Sequence, residues 1–520
     1  MTATPIDLLH AAEAAIAAGS RDPEDYNRVA WARVQQGDTE AGFGLLHAAL
    51  RIAPRDPVTL TSLGMLLHRA GHLRDAILHC DAALENDPAH VDAWVERGQI
   101  FTSGASTKSA IECFAHALTL APDHPVAHAG LAAAYARDGD TDRTRLHATR
   151  ALALDPDNAV ALIALARTDL EAGDAAAVLA LLAPAAERLS PFDGNAALIA
   201  NLLGDAHARL RAPVAAHDCY VRSKALFAQR HADPAGAAPT HRDLVIAATA
   251  ALAQTDRADW AVPVASAPAP AQPHVFVLGY PRSGNTLMEN ILASLPGMAA
   301  LEERPTLGAL DSTLFVTPEG MAQLATMDAA HCAHYRRAYW DKVAACGITL
   351  TGQGFVDMDP LKSLRLPAIA RLFPAAKVIW MRRDPRDVVW SCFHTFFAPS
   401  NVSLEFVSIE RTARHFSAVM ELIEVAIDRL PLQVLPVDYH DLVNDFDATT
   451  AKVCDFIGVP WTDALRRFDR TARTRGVSTA SVSQVRQGLY DGSRQWSQFA
   501  DYLAPVQPIL QRWIDAFGQK

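Results

Sequence analysis

Alanine returns every 34 residues, at Ala49, Ala83, Ala117, Ala151 and Ala185, and this period constrains the first half of the chain more than any other feature. Leu50, Leu84, Leu118 and Leu152 follow in the same register, and Pro54, Pro88, Pro122 and Pro156 close each unit. Gly37, Gly71, Gly139 and Gly173 add a further register, with Ala105 in its one gap. A small side chain is needed where two helices approach closely, glycine where a turn takes positive φ, and proline where a helix stops or the next begins. The pattern predicts about five helical hairpins between residues 24 and 190, with a more degenerate helical stretch continuing to roughly 230.

The period and these positions resemble the tetratricopeptide repeat, which stacks helical hairpins into a superhelix with a concave binding face. The resemblance implies recruitment of a protein or peptide; an array that only supports its neighbour is the alternative. From 231 to 273 the composition shifts to proline and alanine, as in AVPVASAPAPAQP at 261–273, around a short helical run from Arg242 to Gln254. That density of proline reads as a semi-rigid linker. The expected organisation is a repeat domain over 1–230, a linker over 231–273 and a second domain over 274–520.

The 520 residues, half of them apolar, can fill several cores, and a net charge of -11 argues against a general nucleic-acid partner. The seven cysteines lie far apart with no C-x-x-C pair, so a disulfide framework or a zinc site is not expected. The first twenty residues read as an amphipathic helix and not a signal peptide, and no uncharged apolar run reaches membrane-spanning length. A cytoplasmic location is expected.

The chemistry lies in the second half. Apolar runs at 275–278, 377–381 and 433–437 alternate with helical patterns, which predicts an α/β domain with a mainly parallel sheet and a site beyond the carboxyl ends of its strands. The first run leads into GYPRSGNT, Gly279 to Thr286, and then into a helical pattern. Strand, glycine-containing loop and helix start converge backbone N–H groups and the helix dipole on one point, which suits an anion. A Walker loop has a lysine that reaches the outer phosphates. Asn285 stands in its place here, Arg282 supplies the cation, and Ser283, Gly284, Asn285 and Thr286 supply the cradle. A nucleotide kinase is therefore disfavoured. In RRDPRDVVWSCF, Arg383 falls on the next strand-to-helix loop and Ser391 two helical turns on, where guanidinium and hydroxyl can hold a second phosphate.

Two phosphate sites on one P-loop-like α/β domain resemble the sulfotransferases that use 3′-phosphoadenosine 5′-phosphosulfate. In that family the first loop binds the 5′-phosphosulfate, and an arginine and a serine spaced as Arg383 and Ser391 bind the 3′-phosphate. Arg282 with SGNTLM is most similar to the tyrosylprotein sulfotransferases and to bacterial enzymes that fuse tetratricopeptide repeats to this domain. The resemblance implies that Glu303, 21 residues after Arg282, is the catalytic base, and that Arg282 stabilises the departing phosphate oxygen. It also implies nucleotide contacts for Tyr439, for Ser481 and for the nearby arginines Arg486 and Arg494, and no metal. In this chain Asn285 replaces the family's usual threonine, and Met358 takes the place of a lysine thought to assist at the sulfuryl group, with Lys362 nearby as a substitute. The expected activity is O-sulfation, of tyrosine on a protein held by the repeats. The alternatives are a glycan, lipid or small-molecule acceptor, or a non-catalytic scaffold with a degenerate sulfotransferase fold. The sequence leaves the oligomeric state open.

Overall fold

The computed structural model describes residues 4–104, 106–190, 193–232, 238–260, 270–350, 354–475, 488–489 and 491–518. The chain forms two compact units, Met1–Ala216 and His217–Lys520.

In the first unit, five helical hairpins follow one another: Pro23–Gln35 with Thr39–Ile52, Pro57–Arg69 with Leu73–Asn86, Val91–Ser103 with Thr107–Leu120, Pro125–Asp138 with Thr141–Leu154, and Ala159–Glu171 with Ala175–Arg188. The turn glycines Gly37, Gly71, Gly139 and Gly173 all take φ between 84° and 89°, a conformation that a Cβ makes costly. The repeated alanines are buried because the paired helices meet there. Gly98 and Gly130 show how tight the approach is, since a Cβ on either would come within 2.7 Å of the Phe114 ring lying against both. Asp22, Asp38, Asp56, Asp140, Asn158 and Asp174 cap successive helices with their side chains, so the local starts agree with the period.

The second unit is built on a five-stranded sheet of β1 (His274–Gly279), β2 (Met298–Glu302), β3 (Gly354–Met358), β4 (Lys377–Arg382) and β5 (Gln433–Asp438). Its order is β2-β3-β1-β4-β5 with every pair parallel. Side chains alternate across the strands. Val277, Val356, Met358 and Ile379 meet Ile291, Ile457 and Phe468 from helices Asn285–Ala293, Phe446–Ile457 and Phe468–Arg475. Phe276 points the other way and packs on Tyr339 and Phe373, at 6.1 and 5.9 Å between ring centroids. The chain leaves β1 for the β2 edge and leaves β4 for the β5 edge, so the two loops diverge and open a crevice at the carboxyl ends of the central strands.

Two earlier helices also belong to this unit. From His217 onward the helix Pro213–His231 turns Tyr220 against Trp390 and Phe393, with centroids at 5.9 and 6.4 Å. The helix His241–Ala253, in the stretch expected as linker, starts from a Thr240–Asp243 capping box and lies along the helix Ile409–Arg429.

Candidate active site

The loop after β1 is a turn closed on itself. The Tyr280 carbonyl accepts from the Ser283 N–H at 3.2 Å and from the Asn285 side-chain amide at 2.8 Å. Gly284 has φ +99°, and a Cβ there would stand 2.7 Å from the Tyr439 ring, so the bare backbone is what lets Tyr439 lie over the loop. Gly284 is also the N-cap of helix Asn285–Ala293 and makes no side-chain cap, which leaves the helix's first N–H groups facing the crevice without that partner. Ser283, Asn285 and Thr286 are buried around this point.

Arg282 has φ +69°, in the left-handed region that side chains with a Cβ seldom occupy. Its Nε donates to Ser391 Oγ at 2.9 Å, from the helix Pro385–His394 that follows β4. Arg383 completes the connection, with Nη1 donating to the Arg282 carbonyl at 2.9 Å and Nη2 to the Gly492 carbonyl at 2.6 Å. Its guanidinium stacks 4.7 Å over Tyr439, whose hydroxyl accepts from the Gly492 N–H at 3.4 Å. The crevice thus brings Arg282, Arg383, Ser391 and Tyr439 together from three separate stretches of sequence. Burial, and then the neighbouring Arg383 charge, pull Arg282 down to about 10, which leaves it cationic at neutral pH. Arg383 makes no ion pair among the described residues, and its Nε is buried without a hydrogen-bond partner. Asn285 Oδ1 is likewise buried and unpartnered. Two adjacent guanidiniums, one with an orphaned donor, make a site that favours an anion.

Glu303 lies just past β2, with φ +43° and its N–H donating to the Met358 carbonyl at 2.7 Å. It keeps access to solvent while standing among enough protein atoms to be desolvated. That desolvation, followed by the charges of Asp359, Glu302 and Glu289, lifts its carboxyl to about 7, with Lys362 opposing. Glu303 in turn favours the charged form of Arg282, so carboxyl and guanidinium share one electrostatic field. Both sit in strained backbone, as residues at functional sites often do.

Met358 is wholly buried in the sheet core and does not line the crevice. Lys362 is also buried, ion-paired to Asp357, with Nζ donating to the Arg304 carbonyl at 3.3 Å. Asp357 accepts from Thr306 Oγ1 at 2.8 Å and from the Tyr339 hydroxyl at 2.9 Å. Lys362 is therefore committed to holding the Glu303–Thr306 turn from below and is not a free substitute for the family's lysine. Arg494 anchors through its backbone, its N–H donating to Asp387 Oδ2 at 2.8 Å beside Trp496 N–H to Oδ1 at 3.2 Å. Ser481 and Arg486 lie outside the described residues. Asp387 and Asp357 were assigned no site role from the sequence, and Lys362 only that of a substitute lysine; their observed roles depend on strands and helices meeting in space. Among the described residues no group of three or more His, Cys, Asp or Glu is placed to hold a metal ion.

Residues 273–463 match the sequence model of the Sulfotransferase family, so the second unit carries a sulfotransferase-family domain. More particularly, the chain joins that domain to a tetratricopeptide-like repeat array. An uncharacterized protein of Aquifex aeolicus (strain VF5) is 30% identical over 258 residues, 46% of this chain and 33% of that protein. Protein-tyrosine sulfotransferase 1 of Danio rerio is 24% identical over 217 residues, 41% of this chain and 61% of that protein. The chain thus spans under two thirds of either relative. Among solved structures, a thermophilic tetratricopeptide-repeat protein of Thermus thermophilus aligns with 35% of this chain and 98% of its own, at 21% identity and a TM-score of 0.31.

Proposed function

We propose that the chain transfers a sulfuryl group from 3′-phosphoadenosine 5′-phosphosulfate to a hydroxyl, and that the acceptor is tyrosine on a protein or peptide held by the repeats. The observation that carries the donor assignment is the junction of the two anion loops, in which Arg282 reaches Ser391 and Arg383 reaches the Arg282 backbone. The buried Nε of Arg383, which has no partner, and the helix start after Gly284, which has no side-chain cap, both fit a phosphorylated nucleotide. When bound, that nucleotide supplies an activated sulfuryl group with a phosphate as its leaving group.

Ser283, Gly284, Asn285 and Thr286 hold the 5′ end through backbone and side-chain donors at the helix start. Arg383 and Ser391 hold the 3′-phosphate, with Tyr439 fixing the Arg383 plane by stacking. Arg282 remains cationic and stabilises negative charge developing on the leaving oxygen. Glu303 takes the acceptor's hydroxyl proton, and a carboxyl raised to about 7 is well matched to that task near neutral pH. Tyrosine is favoured over a glycan or small molecule by the 21-residue spacing from Arg282 to Glu303 and by the likeness to the Danio rerio enzyme. We place the enzyme in the cytoplasm, where its seven free cysteines stay reduced.

Titration calorimetry with adenosine 3′,5′-bisphosphate tests the donor site. Arg383→Ala loses charge-assisted bonds to the 3′-phosphate and is expected to bind about ten- to a hundred-fold more weakly. Equal affinity in variant and parent would remove Arg383 from the site.

A further inference from the structure

The anion loop is braced from outside the family-matched segment. The Tyr280 hydroxyl is 2.6 Å from His415 Nδ1, and His415 Nε2 is 2.8 Å from His241 Nδ1. Tyr280 and His415 are buried, and burial pushes His415 well below the usual histidine range and lowers His241 as well. A neutral imidazole has one donor and one acceptor nitrogen, so the three groups form a chain whose hydrogen bonds all run in one direction. Fixing His241 therefore fixes the tautomer of His415, and that in turn fixes the Tyr280 hydroxyl. Tyr280 also supplies the carbonyl on which the loop closes, through the Ser283 N–H and the Asn285 amide.

His241 is itself held in place. It opens the helix His241–Ala253, and the next residue, Arg242, donates its backbone N–H to Glu405 at 3.1 Å. Glu405 is buried and also pairs with Arg411 at 2.9 Å, so its carboxylate caps the helix start from the opposing element. Val245, Ala248, Ala251 and Leu252 bury the face of the helix that follows.

We propose that the helix His241–Ala253 is a buttress of the sulfotransferase domain, with His241 and His415 as positioning residues that hold Tyr280 and, through it, the loop bearing Arg282. Its effect on the donor rests on the proposed function; its effect on the loop does not. Hydrogen–deuterium exchange on the full chain reads the loop directly. His241→Ala is expected to speed exchange about ten-fold in a peptide covering 279–286, as expected for loss of one buried hydrogen bond, and to leave a peptide from β4 unchanged. His241→Asn places an amide near the Nδ1 position and is expected to restore near-parent exchange. If His241→Ala does not fold, Tyr280→Phe removes only the hydroxyl and is expected to give the same local rise. Adenosine 3′,5′-bisphosphate affinity is expected to fall by a similar factor in His241→Ala and to recover in His241→Asn. Parent-like exchange over 279–286 in both His241→Ala and Tyr280→Phe, or an equal rise in loop and β4, would overturn the buttress. A parent chain that binds no bisphosphate nucleotide would contradict the donor assignment, and the exchange result would then decide the buttress alone.

Discussion

Arg282 permits a test that separates fold from chemistry, because its backbone and its side chain make opposite demands. At φ +69° a residue with a Cβ gives up about 1–2 kcal/mol relative to glycine. Glycine loses about 0.5–1 kcal/mol of that advantage through its greater freedom in the unfolded chain. Arg282→Gly and Arg282→Ala both lose the hydrogen bond to Ser391, worth about 1 kcal/mol net, and both relieve repulsion with Arg383. Arg282→Gly should therefore lie within about 1 kcal/mol of the parent, and Arg282→Ala about 0.5–1 kcal/mol below Arg282→Gly. In a unit of this size that difference corresponds to a melting temperature lower by about 1–3 °C, readable by scanning calorimetry. Turnover should fall about 10²–10³-fold in both, the usual effect of removing one preorganised donor from developing charge. Arg282→Gly that melts far below Arg282→Ala would refute the strained backbone. Arg282→Gly that turns over at the parent rate would refute the catalytic role.

Glu303 is a base only when ionised, so a carboxyl raised to about 7 predicts kcat/KM climbing through pH 7, with Glu303→Gln slower by about 10²–10⁴-fold and lacking that limb. Glu303 and Glu289 both rise from 4.5 to about 7 on folding, so the folded unit binds protons that the unfolded chain releases. Stability is therefore expected to fall as pH rises from about 4.5 to 7, with Glu303→Gln flattening part of that slope in urea titrations. Asp357→Asn leaves the buried Lys362 with only Asp359, at 4.0 Å, as counter-ion and is expected to cost about 3 kcal/mol in urea unfolding, most of it recovered when Lys362→Met is added. Gly284→Ala drives a Cβ to 2.7 Å from Tyr439 and should weaken bisphosphate binding at least about ten-fold, measured by calorimetry.

The repeat array was readable because each unit restates the same demands: glycine at the turn, alanine at the crossing, proline at the close. β1, β4 and β5 were readable as apolar runs between helical patterns. β2 and β3 were not, being five residues each, and β3 places Asp357 at a fully buried position where Lys362, Thr306 and Tyr339 make the charge tolerable. The site showed the same division. Arg282, Arg383 and Ser391 stood out through loop motifs and spacing, whereas the His241–His415–Tyr280 chain spans 174 residues between its histidines and has no local pattern. The helix His241–Ala253 read as part of a linker because proline and alanine surround it, and its packing partner lies far along the sequence.

The central proposal is tested most directly by incubating the purified full-length chain with radiolabelled 3′-phosphoadenosine 5′-phosphosulfate and protein from the source organism, then digesting the products completely. The predicted result is label on tyrosine, reduced at least about a hundred-fold by Arg282→Ala and by Glu303→Gln. Label confined to carbohydrate, lipid or small molecules would contradict the tyrosine acceptor. No transfer by a chain that binds the nucleotide would contradict catalysis itself.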